Sequence, residues 1–227
     1  MTETARRKLI PELNGAPARW YARLRGSEQQ LEDYRRQAVG FAAGLPAGAP
    51  VLEVACGPGY LAVELARLGL RTTAVDLAPT FVALTAQRAA EGEVAVDVRQ
   101  GDVAALPLPP EQFDLVVCQA AFKNFSRPIR ALDELHRVLR PGGTAIVQDL
   151  RREASAADLD LEVRRLQARG PNAFVTRRIL AGLRRRAYRA EELLGLARRS
   201  LFAGGEVHSD GLSHELRLRK PPDAGDG

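Results

Sequence analysis

Apolar and polar positions follow a rhythm that changes twice along the chain. In the first 44 residues, Leu24, Leu31, Tyr34, Ala38 and Phe41 recur at helical spacing, and GLPAGAP (44–50) then breaks the pattern. Short apolar runs and amphipathic stretches alternate from there to Asp149. The runs 51–55, 71–76, 94–100, 113–119 and 144–149 read as strands. In 113–119, Val and Leu occupy both faces, as in a parallel sheet covered on both sides. Stretches 61–68, 79–91 and 129–139 read as helices. Gly69 ends the first, Pro79 opens the second, and Pro141-Gly142-Gly143 stops the third. GDVAALPLPP (101–110) is a loop.

After Asp149 the alternation stops. Residues 155–200 are helical and arginine-rich, interrupted at Gly170-Pro171. Segments 206–209 and 213–219 flank Asp210-Gly211, a hairpin signal. The pattern predicts an α/β fold with a doubly wound, mostly parallel seven-stranded sheet closed by an antiparallel hairpin. One domain, 1–220, is expected: an N-terminal helical cap (1–48), a core (50–150), a helical lid (151–200) and the closing hairpin (201–220). The tail 221–227 is expected to be disordered.

Charge changes the picture little. The net charge of +5 invites a nucleic-acid reading, yet Lys8, Lys123 and Lys220 are the only lysines. The densest basic patch is Arg177, Arg178, Arg184, Arg185, Arg186 and Arg189. It lacks the interleaved lysines and aromatics usual in phosphate-tracking modules, so a solvated or lid surface is favoured. Cys56 and Cys118 are too few for a disulfide scaffold and lack metal-ligand spacing. The start, MTETARRKLI, has no apolar leader core, and no run approaches the ~18 apolar residues of a membrane span. A cytoplasmic location is expected.

In an open α/β sheet, ligands bind beyond the carboxyl ends of the strands. The first strand ends in EVACGPG, Glu53 to Gly59, whose glycines admit close backbone approach and whose following helix directs free N–H groups outward. Asp76 ends the second strand, 23 residues after Glu53, where a carboxylate can accept both hydroxyls of a ribose. Asp102 follows the third strand, where it can accept an exocyclic adenine amine. Gly57 to Ala62 also satisfies the relaxed dinucleotide pattern G-x-G-x-x-A. Three acids at successive strand ends and a terminal hairpin argue against a nicotinamide site.

LEVACGPG, AVDLAP, GDVAALPLPPEQFDLVVC and ALDELHRVLRPGGTAIV resemble, in order and spacing, the motifs of class I S-adenosylmethionine-dependent methyltransferases over about residues 50–150. Within that class the likeness is nearest to ubiquinone/menaquinone-type C-methyltransferases and related small-molecule enzymes. AFKNFSRPIRAL (121–132) stands where those have a short Arg-Asn or Lys-Asn loop. The resemblance implies S-adenosylmethionine as donor, S-adenosylhomocysteine as product, and no metal. By the same resemblance, the backbone of Ala55, Cys56, Gly57 and Gly59 embraces the methionine part, with Glu53 supporting the loop. Asp76 takes the ribose hydroxyls, Leu77 and Val103 meet the adenine ring, and Asp102 its amino group. Gln119 and Ala120 line the cofactor, and Tyr21, from an N-terminal helix, closes over its carboxylate or anchors that helix to the core. The family usually has glycine at Ala55, so the loop is expected to be tight.

An activated methyl group needs alignment more than acid–base help, and orientation alone supplies ~7–11 kcal/mol. A base is required only where the acceptor must lose a proton. Weak candidates for such a role are Lys123, Asn124 and His214; a lone lysine in such a loop is more often solvated. Phe122 and Phe125 either wall an acceptor pocket or pack their loop. Phe174 and Tyr188, with Ile179 and Leu183, either line that pocket from the lid or belong to the core. His136 reads as a helix-surface residue and His208 as an ordinary strand position. Cys56 and Cys118, at adjacent strand ends, read as buried free thiols. No DPPY- or NPPY-like sequence follows the fourth strand, which argues against amino-group methylation of adenine or glutamine. The expected partner is a small-molecule methyl acceptor, with a homodimer compatible. An RNA methyltransferase, a non-methylating cyclase or decarboxylase, and a nicotinamide oxidoreductase are the alternatives.

Overall fold

The structure, a computed structural model, describes residues 13–166 and 170–223. The expectations for residues 1–12 and for the end of the tail, 224–227, lie outside them. Two helices come first: α1 (Gly15–Leu24), capped by the Asn14 side chain, and α2 (Glu28–Ala42). Strand–helix alternation follows through β1 (Pro50–Val54), α3 (Tyr60–Arg67), β2 (Arg71–Asp76), α4 (Pro79–Glu91), β3 (Val96–Gln100), β4 (Phe113–Gln119), α5 (Pro128–Val138) and β5 (Leu139–Leu150). Three helices, α6 (Ala156–Arg165), α7 (Pro171–Arg184) and α8 (Ala190–Arg199), precede the hairpin of β6 (Glu206–Asp210) and β7 (Ser213–Arg219).

The seven strands form one sheet in the order β3-β2-β1-β4-β5-β7-β6. Pairs β1–β2, β2–β3, β1–β4 and β4–β5 are parallel, while β7 runs antiparallel to both β5 and β6. Only β7 is therefore reversed. The order turns back between β1 and β4, which opens a crevice above their carboxyl ends.

Side-chain alternation assigns the two faces of the sheet. Leu52, Val54, Val116 and Cys118 point to one side, where Leu132, Leu135 and Val138 of α5 and Leu193 of α8 bury against them. Val51, Leu115 and Val117 point to the other, beneath Tyr34 and Phe41 of α2 and Leu61 and Leu65 of α3. The apolar runs of β1, β2 and β4 are thus strands buried on both faces, whereas β3 at the sheet edge is largely exposed.

Two differences from expectation go beyond a residue or two at the end of an element. Strand β5 starts at Leu139, not 144, because Leu139 pairs with Phe113 ahead of an irregularity between Phe113 and Leu115. Pro141-Gly142-Gly143 still stops α5, but as a distortion inside the strand, with Gly142 at φ +81°. The lid also breaks twice. Besides Gly170, the chain leaves the helix at 185–189, where Ala187 and Tyr188 are buried and Tyr188 bridges to Arg151.

Candidate cofactor site at the carboxyl ends of the strands

Strand β1 runs straight into a loop of left-handed residues: Ala55 at φ +54°, Gly57 at +54° and Gly59 at +78°. The two glycines serve different ends. A Cβ on Gly57 would meet nothing within 4 Å, so the loop presents an open concavity there. A Cβ on Gly59 would sit 2.5 Å from the Thr85 side chain, so this glycine lets α3 start against α4. Ala55 holds the same backbone region with a methyl group, at a cost of about 1–2 kcal/mol. Arg88 of α4 closes the loop's far end, donating to the Pro58 carbonyl at 2.9 Å and the Tyr60 hydroxyl at 2.9 Å.

Asp76 joins this loop to the next. Its Oδ2 accepts the Gly57 N–H at 2.8 Å and its Oδ1 the Ala78 N–H at 2.9 Å. Glu53 lies beneath, buried, with Oε2 lacking a hydrogen-bond partner among the described residues. Burial raises its carboxyl to about 8, partly offset by the Ala62 N–H and reinforced by nearby Asp76. An orphaned carboxylate oxygen under a cradle with room at Gly57 fits a ligand bringing a cationic amine. The residues present fit the amino-acid end of S-adenosylmethionine. Burial also raises the Cys56 thiol, whose Sγ is 3.6 Å from Thr85 Oγ1, and the Cys118 thiol; both cysteines are free and buried, as expected.

The residues expected to face adenine follow β2 and β3. The Leu77 carbonyl accepts from Gln100 Nε2 at 3.1 Å. Asp102 is half exposed, with Oδ1 accepting the Ala104 N–H and Oδ2 bonded to Arg127 at 2.9 Å. Val103 is buried in the core. Tyr21 packs edge-on against Phe81, ring centroids 6.0 Å apart, beside Ala78. It is thus fixed to the start of α4.

At the end of β4, Gln119 Nε2 donates to Gln37 Oε1 of α2 and to Gln148 Oε1 of β5, both at 2.8 Å. Ala120 follows at φ +57°, and Phe122–Asn124 forms a single 3-10 turn. Several side chains proposed for chemistry are committed elsewhere. Phe122 is fully buried, packed on Phe125 at 5.4 Å and Tyr188 at 5.6 Å. Phe122 and Tyr188 therefore belong to the core instead of walling a cleft, and half-buried Phe125 packs against it. Phe174, 63% exposed, faces outward from α7. Lys123 is not solvated: its Nζ lies 2.6 Å from Asp149 Oδ1, both side chains 4% exposed, and also bonds the Ala120 carbonyl. Asn124 keeps Oδ1 buried, without a hydrogen-bond partner among the described residues. His214 is buried between Ser209 Oγ at 2.8 Å and Glu153 Oε2 at 3.1 Å.

Sequence reasoning did not single out Gln37, Gln148 or Asp149. The signal for the last two was two polar residues closing an apolar strand. Gln37 gave none, because only the docking of α2 brings it there. His136 stacks edge-on with Phe202 at 5.0 Å on the flank of α5. Among the described residues, no group of His, Cys, Asp and Glu could hold a metal ion, and no helix is long and apolar enough to cross a membrane.

Comparison with known proteins agrees with this arrangement. A family profile described as a methyltransferase domain matches residues 52–147. A ubiquinone biosynthesis O-methyltransferase from Xanthomonas campestris pv. campestris is 36% identical over 127 residues, covering 56% of this chain and 53% of that protein. A second, from Xanthomonas oryzae pv. oryzae, is 37% identical over 111 residues, 48% of this chain and 46% of that one. The chain thus matches only about half the length of these curated relatives. A solved SAM-dependent methyltransferase from Aquifex aeolicus superposes with a TM-score of 0.66 at 19% identity, over 88% of this chain and 97% of that one. A Methanococcus maripaludis structure bearing the same general name reaches 0.74 at 14% identity over 99% of both chains. Residues 52–147 thus match a methyltransferase domain, and the chain shares the fold of solved SAM-dependent methyltransferases.

Proposed function

We propose that the chain transfers the methyl group of S-adenosylmethionine to a small organic acceptor and releases S-adenosylhomocysteine. The observation that carries this reading is the Asp76 carboxylate, oriented by the N–H groups of Gly57 and Ala78 at the switch point of the sheet. S-adenosylmethionine, when bound, supplies a methyl group already activated on a sulfonium. In this reading Asp76 receives the ribose hydroxyls and Ala55, Cys56 and Gly57 enclose the amino-acid end above Glu53. Leu77, Val103 and Asp102 face the adenine, and Tyr21 flanks the site from α1. Gly59 serves packing, and Gln119 orders the floor toward β5.

The amides of Gln37, Gln119 and Gln148 neither take nor give a proton near neutral pH, and Lys123 and His214 are held by partners. That arrangement suits an acceptor that ionises readily by itself, such as an acidic phenol or enol. The O-methyltransferase name of the relatives supports an oxygen acceptor. The reading also takes the enzyme to be cytoplasmic. Incubation with methyl-labelled donor and a panel of catechols, phenols and enols tests it. Label in an ether product is expected; a consumed acceptor without label, or label in none of them, would overturn it.

A further inference from the structure

We propose that α7 and α1 form a surface that docks the protein peripherally on an anionic lipid bilayer. The inference does not depend on methyl transfer.

Helix α7 is held along one edge only. Arg177 pairs with Asp160 of α6 at 2.5 Å, and Arg184 donates to the Ala154 carbonyl. At 100° per residue these two arginines lie on nearly the same side of the helix. The arc turned away from them carries Val175 and Ile179, 53% and 49% exposed, and is flanked by Phe174, 63% exposed. Arg178 lies within this arc, its guanidinium 5.7 Å from the Phe174 ring centroid. No described side chain of α7 is buried. A helix with three large apolar groups exposed to water invites a partner.

Charge indicates which kind. Between Glu162 and Glu191 the sequence has nine arginines and no carboxylate. Among the described residues, Arg178, Arg185, Arg186 and Arg189 form no ion pair. A protein groove would be expected to answer such a stretch with carboxylates, whereas an anionic bilayer offers phosphates at its surface and hydrocarbon beneath. That combination suits a cationic amphipathic helix lying in the interface.

Helix α1 repeats the pattern independently. Trp20 and Leu24, one turn apart, are 61% and 56% exposed, and Arg19 and Arg23 beside them are exposed too. Tryptophan is favoured at the headgroup level of a bilayer. The two helical regions are joined through α6 and α2, where Arg165 pairs with Asp33 at 2.6 Å. RNA would reward the arginines and a stacked aromatic, but Val175 and Ile179 would gain nothing from phosphates.

The test is co-sedimentation of the full chain with phosphatidylcholine vesicles, with and without phosphatidylglycerol. Binding only to the phosphatidylglycerol vesicles is expected. Arg185→Gln and Arg186→Gln should each lower partitioning about fivefold, as for ~1 kcal/mol per surface arginine. The double variant Phe174→Ser/Ile179→Ser should lower it at least about tenfold. Thermal melting of each variant confirms an intact fold, and a second double variant, Trp20→Ser/Leu24→Ser, tests α1 separately. Absence of vesicle binding, equal binding to both vesicles, or binding unaffected by both double variants would overturn the proposal. So would tighter binding to mixed-sequence RNA that ignores the loss of Phe174 and Ile179.

Discussion

The Lys123 ammonium lies 2.6 Å from the Asp149 carboxylate, and both side chains are almost wholly enclosed where the 3-10 turn after β4 meets the end of β5. Asp149 also accepts the N–H groups of Lys123 and Leu150, each at 2.7 Å. The pair fixes the turn that follows β4, which predicts a structural role for Lys123 and not one in proton transfer. Replacing it with methionine leaves a buried carboxylate without its cation, a change that costs about 3–5 kcal/mol. Urea denaturation of Lys123→Met should show that loss. Methyl transfer abolished in a variant of normal stability would instead restore Lys123 as a base.

The left-handed Ala55 makes the opposite prediction. Ala55→Gly removes a β-carbon from an unfavourable backbone region but makes the unfolded chain more flexible, which offsets part of the gain. A net stabilisation of about 0.5–1 kcal/mol is expected, read as a higher melting temperature.

Gly57 and Gly59 should separate binding from folding. A Cβ on Gly59 collides with Thr85, so Gly59→Ala should lower stability by about 2 kcal/mol or more. Gly57→Ala meets open space and bears only backbone strain of about 1–2 kcal/mol. Its new methyl group projects into the cradle, so it should weaken S-adenosylhomocysteine binding more than it weakens the fold. Calorimetric binding and melting curves on both variants check the contrast.

Glu53, with its carboxyl raised to about 8 by burial, sets a pH dependence. From about pH 5 to about pH 8 the unfolded chain gives up a proton that the folded chain retains, so stability falls as pH rises and levels off above that window. Glu53→Gln should flatten this part of the stability profile. An identical slope in variant and wild type would show that Glu53 titrates normally.

The parts of the fold written in periodicity were legible. The ends of β2, α4 and β4 fall where the apolar runs and Pro79 put them, because each strand is buried on both faces and each helix on one. The glycine loop and the strand-end acids were legible for a related reason: local geometry dictates their residue types. Three things depended on distant partners and could not be read locally. Lys123 is buried because Asp149, 26 residues away, comes to meet it. Phe122 is core because Tyr188, 66 residues further along the chain, closes over it. The apolar stripe of α7 signals a helix face but says nothing of which way that face turns, and it turns outward.

The central claim is that Asp76 organises a site for the methyl donor, and S-adenosylhomocysteine binding to wild type and Asp76→Ala tests it most directly. Losing a charged acceptor is worth about 1.5–3 kcal/mol per hydrogen bond, so affinity should fall at least about tenfold in a variant that still melts cooperatively. Equal affinity for the two proteins, or a wild type that binds NAD and not S-adenosylhomocysteine, would contradict it.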